Sequence, residues 1–373
     1  MPSSPPLLAP SEIPSPALIF YPHIIRENAE TVVALAGSAS RLWPHIKTHK
    51  TREIVLLLME LGVKKFKCAT IAEAELLGNC NVEEVILAYP LYGPNIQRFV
   101  RIIQNFPATR FLCLVEEIGC AEKLSQMAMN QGITNTGASI EVLVDVNPGM
   151  NRTGAIEDEV PGIYRSIETL PGLTGGGIHW YDGHNRQVDP LERLEAARYC
   201  VKRAGEIKRI IEESGGSVPR LIMGGTPIFP MYAQIGEVGL SPGTAFLFDA
   251  GYANRFVDLP FEPAAFILGR VISIPRVDRI TIDVGSKAIA ADPPGDRGVL
   301  LGHPGAKPIS QSEEHWVFQV PGTNGFSRGD PVFILPTHIC PSVALHSEAV
   351  VIDEKGNNVG TWSIAARDRR ISI

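Results

Sequence analysis

The 373-residue chain predicts a (β/α)8 barrel of the TIM type followed by an all-β C-terminal domain. Two observations carry this. Short β-branched runs alternate with longer amphipathic stretches up to about residue 250, and the texture then changes to short strands between Pro/Gly turns. Strands are expected at 42–46, 65–68, 84–88, 110–114, 139–146, 173–179, 220–223 and 245–248. Helical patterns such as TREIVLLLMELG and LERLEAARYCVKRAGEIKRIIEES lie between them, and several stop at glycine, a common helix end. Eight such strands over about 230 residues match the barrel repeat, although a doubly wound open sheet shares the alternation.

The barrel is accordingly placed at 17–252 and the β-domain at 253–373. In the latter PAAFILGRVISIP, DRITIDVG, HWVFQV, DPVFILP and EAVVID read as strands, with no helix between them and a long surface loop at 292–308. Residues 1–16 are rich in proline and serine and are expected to lie extended, with packing on the β-domain as one option.

With 45% apolar and 20% charged residues the composition is that of an ordinary globular protein. A net charge of −6 argues against broad affinity for nucleic acid or an anionic membrane. The six cysteines form no CxxC pair, the N-terminus lacks a secretory pattern, and no apolar run approaches the roughly 18 residues of a membrane span. A cytoplasmic protein with reduced thiols is the expectation.

Four segments carry chemistry. In RLWPHIKTHK (41–50), His45, Lys47 and His49 alternate, so a strand would set them on one face. A lysine between two imidazoles in a partly desolvated pocket loses its proton more readily, as a Schiff-base lysine requires. In MGGTPIFP (223–230) a strand runs into Gly224 and Gly225, then Thr226 as an N-cap with Pro227 opening a helix, an arrangement suited to phosphate. In LPTHICPSVALH (335–346), strand alternation would place His338 and Cys340 on one face about 7 Å apart at Cα, close enough to share a zinc-like ion. DVNPGMNRTG (145–154) and IHWYDGHNR (178–186) each follow an expected strand.

PHIKTHK resembles the cofactor-lysine motif of the D-threonine aldolase and D-serine dehydratase family, whose barrel is of the alanine racemase type, and the resemblance runs from SPALIF (15–20) to ARDRRISI (366–373). It implies pyridoxal 5'-phosphate (PLP) carried by Lys47 as a Schiff base, Arg152 near the cofactor's phenolic oxygen and Tyr181 packed at the cofactor. Gly224, Gly225, Thr226, Gly243 and Thr244 would hold the phosphate. His338 and Cys340 would bind a divalent metal (Mn, Mg or Zn), and His184 would act as base for a substrate β-hydroxyl. Trp43 stands where members commonly carry arginine, and Ser241 where alanine racemases place an arginine facing the pyridine nitrogen. His315 lies in a further family-like segment, QSEEHWVF (311–318).

FDAGYANRFVDLPFEPAAFILGRVIS (248–273) is more similar to D-threonine aldolases than to D-serine dehydratases. The expected activity is therefore cleavage of a D-β-hydroxy-amino acid, D-threonine-like, to glycine and an aldehyde by a homodimer. A D-serine or 3-hydroxyaspartate dehydratase is the alternative. A non-catalytic PLP carrier is a further one, disfavoured by the β-domain.

Overall fold

The computed structural model describes residues 7–292, 294–323 and 325–373. The first six residues of the expected N-terminal segment fall outside these. The chain divides into two compact units, one of residues 32–47, 55–243 and 368–373, the other of residues up to 31, 48–54 and 244–367.

Strand β1 (Ala17–Phe20) belongs to the second of these. In the first, β2 (Lys65–Cys68), β3 (Glu84–Pro90), β4 (Arg110–Val115), β5 (Ile140–Val146), β6 (Leu173–Trp180), β7 (Leu221–Met223) and β8 (Gly239–Leu240) form one parallel sheet in sequence order. Residues 42–45 complete it. Leu42 bridges Leu240 of β8 and His45 bridges Lys67 of β2, both in parallel. The Trp43 N–H donates to Leu240 O at 2.8 Å and the Lys67 N–H to Pro44 O at 2.9 Å. Pairing both edges through one short stave makes the TIM-type barrel. The strand expected at 245–248 is absent. Pro242, which has no N–H for a ladder, makes a further bond to the stave through its carbonyl, which accepts the His45 N–H at 2.8 Å; Thr244–Phe246 is then a 3-10 turn, and β8 takes the last position.

The barrel interior is filled by Trp43, Ile86, Leu112, Leu114, Leu143 and Ile222. Towards the N-terminal ends of the strands, buried Glu84 gathers a polar hub. It accepts from Trp43 Nε1 at 2.7 Å, Arg110 Nη2 at 2.6 Å and Arg220 Nη2 at 2.7 Å, and Arg220 Nη1 also donates to Glu141 at 2.7 Å. Trp43 is thus committed to this hub through its indole N–H.

In the other unit β1 pairs in parallel with β15 (Glu348–Ile352) and antiparallel with β9 (Ala265–Arg276). With β10 (Arg279–Ile282), β12 (Lys307–Gln311), β13 (Trp316–Gln319) and β16 (Asn358–Ser363) the sheet order is β12-β13-β10-β9-β1-β15-β16, while β14 (Pro331–Pro336) joins β9 and β11 (Gly298–Leu300) joins β14. β1 therefore lies outside the barrel sheet, and the expected 292–308 loop contains a strand and the start of another. The unit is mostly strand, and the short helices Ala250–Arg255 and Ile339–Leu345 and the larger part of the helix Pro22–Ala36 also lie in it.

Residues 7–16 are not simply extended. Pro10–Glu12 forms a 3-10 turn, Ile13 joins a core cluster with Ile19, Tyr21, Phe266 and Leu335, and Arg270 donates to the Pro10 and Ile13 carbonyls at 2.7 Å each. The backbone here finds partners that composition does not reveal. The described cysteines are all free, and among the described residues no helix is long and apolar enough to cross a membrane.

Removing the Glu84 carboxylate would leave Arg220, whose side chain is 10% exposed, short of its main counter-charge. Glu84→Ala is expected to lower the free energy of unfolding by about 3–5 kcal/mol in denaturant titration, while Glu314→Ala, on an exposed loop, leaves it within about 0.5 kcal/mol.

Candidate active site

Past His45 the chain leaves the barrel ladder. The His45 Nδ1 accepts the Lys47 N–H at 3.4 Å, and Ile46–Thr48 winds into a 3-10 turn. Such side-chain-to-backbone bonds compete with strand pairing. The expected alternation of His45, Lys47 and His49 along one strand face therefore stops at His45. His49 makes its own local turn, its Nδ1 accepting the Thr51 N–H at 3.2 Å, and burial pushes its pKa down to about 3.

Tyr181, at the end of β6, organises the site. Lys47 Nζ lies 5.9 Å from its ring centroid, Lys67 Nζ 5.5 Å and Arg152 Cζ 4.9 Å. These distances lie within cation–π range. Three cations around one ring form a site for an anion, and the structure brings together the expected Lys47, Arg152 and Tyr181.

Lys67 was not anticipated. It is 2% exposed, near the end of β2, and donates to Ser241 Oγ at 2.6 Å. His179 Nε2 is 3.4 Å away, His179 Nδ1 is 2.7 Å from Asp145 Oδ1, and Thr153 donates to Asp145 Oδ2 at 2.9 Å. A polar chain thus crosses the barrel interior from β5 and β6 to β2 and the residue after β8. Burial, and then repulsion from Lys47, bring the Lys67 pKa down to about 7. Burial first and Lys67 second also lower His179. The sequence signal was a lysine between Phe66 and Cys68 in a four-residue strand, where a charge is costly unless it has a use.

The glycine turn is built for close approach. Gly224 has φ +74, and a Cβ there would stand 2.8 Å from Tyr232 Cδ2. A Cβ on Gly225 would come within 3.3 Å of Tyr181 Cε2. Thr226 is not the helix N-cap. The helix spans Phe229–Ile235 with Ile228 at the cap position, because Pro230 rather than Pro227 occupies its first turn. Thr226 Oγ1 instead accepts the Gly243 N–H at 3.1 Å, joining the two expected phosphate segments. Thr244 opens the next 3-10 turn, and its hydroxyl lies 3.7 Å from Cys340 Sγ.

His184 is exposed on the loop after Tyr181. The loop is anchored by buried Asp182, which accepts from Tyr232 Oη at 2.6 Å and Asn185 Nδ2 at 2.9 Å and whose pKa burial raises.

His338 and Cys340 are not strand neighbours. β14 ends at Pro336, His338 is the N-cap position of Ile339–Leu345, and Cys340 lies in the first turn. Their side chains still meet: a hydrogen bond to Cys340, with Asp292 adding to it, raises the His338 pKa to about 9. His338 Nδ1 is 2.6 Å from Asp292 Oδ2, and Thr48 Oγ1 is 3.3 Å from Cys340 Sγ. Among the described residues no group of three or more His, Cys, Asp or Glu forms a metal cage. His315 is exposed in the β12–β13 turn and has no assigned role.

A model of the alanine racemase N-terminal domain matches residues 23–238, and one of a putative serine dehydratase domain matches residues 264–352. D-threonine aldolase of Arthrobacter sp is 30% identical over 336 residues, covering 87% of this chain and 85% of that protein. The chain belongs to the D-threonine aldolase and D-serine dehydratase family. D-threo-3-hydroxyaspartate dehydratase of Delftia sp. (strain HT23) is 22% identical, covering 93% of this chain and 95% of that one. The crystal structure of D-threonine aldolase from Filomicrobium marinum superposes with a TM-score of 0.89 at 25% identity, covering 100% and 99% of the two chains.

The family's enzymes depend on PLP, so this chain is an enzyme for which PLP is the expected cofactor. The residues present fit it. Lys47, Lys67 and Arg152 suit an anionic ring and phosphate, and the space at Gly225 is one that a Cβ would fill. Gly224→Ala should cost about 1–3 kcal/mol from a left-handed backbone and the Tyr232 clash. Denaturant unfolding measures it, with PLP affinity, followed by tyrosine fluorescence, expected to fall in parallel.

Proposed function

We propose that this protein is a PLP- and divalent-metal-dependent lyase that cleaves a D-β-hydroxy-amino acid of the D-threonine kind to glycine and an aldehyde. The observation that carries the reaction is the likeness to D-threonine aldolase along 87% of the chain. Lys47 would hold the cofactor by its amine, Arg152 and Lys67 would balance its negative charge, and the Gly224–Thr226 turn, tied to Gly243 through Thr226 Oγ1, would receive its phosphate. When bound, the cofactor supplies an electron sink for the pair released at the substrate's Cα. His184, on the exposed loop after Tyr181, would take the proton from the β-hydroxyl as the Cα–Cβ bond breaks.

His338 and Cys340 are the proposed metal ligands. Asp292 at His338 Nδ1 would orient the imidazole, as a carboxylate does for a ligating histidine. Imidazole and thiolate suit a zinc-like ion, which there would act as a Lewis acid for the β-hydroxyl.

A dehydratase reading rests on the same residues, with Lys47 removing the Cα proton, and is favoured by the match at 264–352 and by the Delftia relative. Incubation with PLP, a divalent metal and each of D-threonine and D-serine separates the two. Glycine from D-threonine is expected, and pyruvate from D-serine would overturn the aldolase reading. Lys47→Ala should abolish the visible absorbance band of the bound cofactor. His338→Ala or a chelator should remove at least about 100-fold of activity while leaving that band in place.

A further inference from the structure

We propose that Lys67 is a second functional lysine of the cofactor site, a buried amine that takes up a proton from solvent when the anionic cofactor binds. This rests on the PLP reading above and concerns a residue that reading uses only as a counter-charge.

The hydrogen-bond inventory around Nζ carries the inference. Asp145 accepts at Oδ1 from His179 Nδ1, which leaves Nε2 as the imidazole lone pair facing Lys67 at 3.4 Å. The Ser241 hydroxyl donates to Gly224 O at 2.9 Å, so its oxygen receives the Lys67 bond at 2.6 Å. A neutral amine has two protons for these two acceptors and one lone pair over. The ammonium has a third N–H to place, and Nζ lies 5.5 Å from the centroid of the Tyr181 ring.

The charges facing Lys67 set the balance. Lys47 and Arg152 oppose its protonation, and Asp145 and Asp182 favour it. His179 is held neutral by burial, and His45, the backbone partner of Lys67 in the barrel ladder, directs its Nδ1 to the Lys47 N–H. Burial is the largest influence and, with these charges, brings the amine's pKa down to about 7. An anion set among Lys47, Lys67 and Arg152 reverses the repulsive part of that balance. The Lys67 pKa then rises, and the third N–H gains an acceptor.

The sign follows from linkage. A group whose pKa is raised by binding contributes affinity that is fully present below its free pKa and is lost as pH rises towards the bound one. The wild-type affinity for the cofactor's anion is therefore expected to fall as pH rises above about 7.

The probe is pyridoxine 5'-phosphate, which lacks the aldehyde and cannot react with Lys47. Calorimetric titration of the full chain at pH 8, in buffers of differing ionisation enthalpy, should show uptake of about one proton per site, shrinking towards pH 6. Lys67→Met should lose that uptake. Lys67→Arg, which keeps a charge at every pH, should bind with no uptake from this position. Both variants are checked by circular dichroism, and the arginine variant decides the matter if the methionine variant does not fold. Equal uptake in wild type and Lys67→Arg overturns the proposal and leaves the PLP reading standing. Failure of the wild type to bind both this probe and PLP overturns the PLP reading, and the proposal with it.

Discussion

Two backbone bridges, Leu42 to Leu240 and His45 to Lys67, are the constraint on which the proposed cofactor site depends. They make a four-residue stave the neighbour of both edges of a seven-stranded sheet. The register then does the placing. Lys47 lies two residues past one bridge, Lys67 is itself a bridge partner, and Ser241 follows the other partner directly. Side chains far apart in sequence are set around Tyr181 by main-chain hydrogen bonds, which are indifferent to the charge they bring together. A barrel can therefore hold several cations in one place, because the cost of their repulsion is spread over a cooperative ladder and an apolar interior.

That repulsion is managed unequally. Glu84, towards the N-terminal ends of the strands, answers Arg110 and Arg220 with short ion pairs and stiffens the floor. On the other side Asp145 is hydrogen-bonded to His179 rather than to Lys67, and it and Asp182 act on Lys67 at a distance, so the compensation is partial. Full pairing favours rigidity, whereas partial pairing leaves a site that gains from an anionic ligand. The same two residue types, lysine or arginine with a carboxylate, serve stability at one end and binding at the other.

The second unit shows a different economy. A sheet of mixed connections is drawn together around β1 and β9, and its loops carry the chemistry. Asp249 accepts the Tyr252 N–H at the start of one short helix and the Ile339 N–H at the start of the other. A single carboxylate thereby fixes the backbone from which both His338 and Cys340 project. With Asp292 on His338, orientation of the pair depends on acidic residues that are not themselves in the HxC motif.

The sequence alone determined the alternation of strand and helix, the change of texture after Gly251, and the motifs holding Lys47, Arg152, Tyr181, Gly224, Gly225, His338 and Cys340, because period and residue type are local properties. It misjudged what local preference does not control. Histidine side chains at 45 and 49 bond their own backbone and turn a would-be strand into a 3-10 turn. Pro230 rather than Pro227 starts a helix, and HxC opens a helix instead of ending a strand. Lys67, His179 and Asp145 were illegible as a set, lying on β2, β6 and β5 with intervals of 112 and 34 residues between hydrogen-bonded partners. Asp145 and His179 are partners in the β5–β6 ladder, and only the closed barrel brings Lys67 to them. Tertiary structure alone decided that a lysine looking like an ordinary strand residue became a buried amine, since burial and a neighbouring charge are facts of space and not of order along the chain.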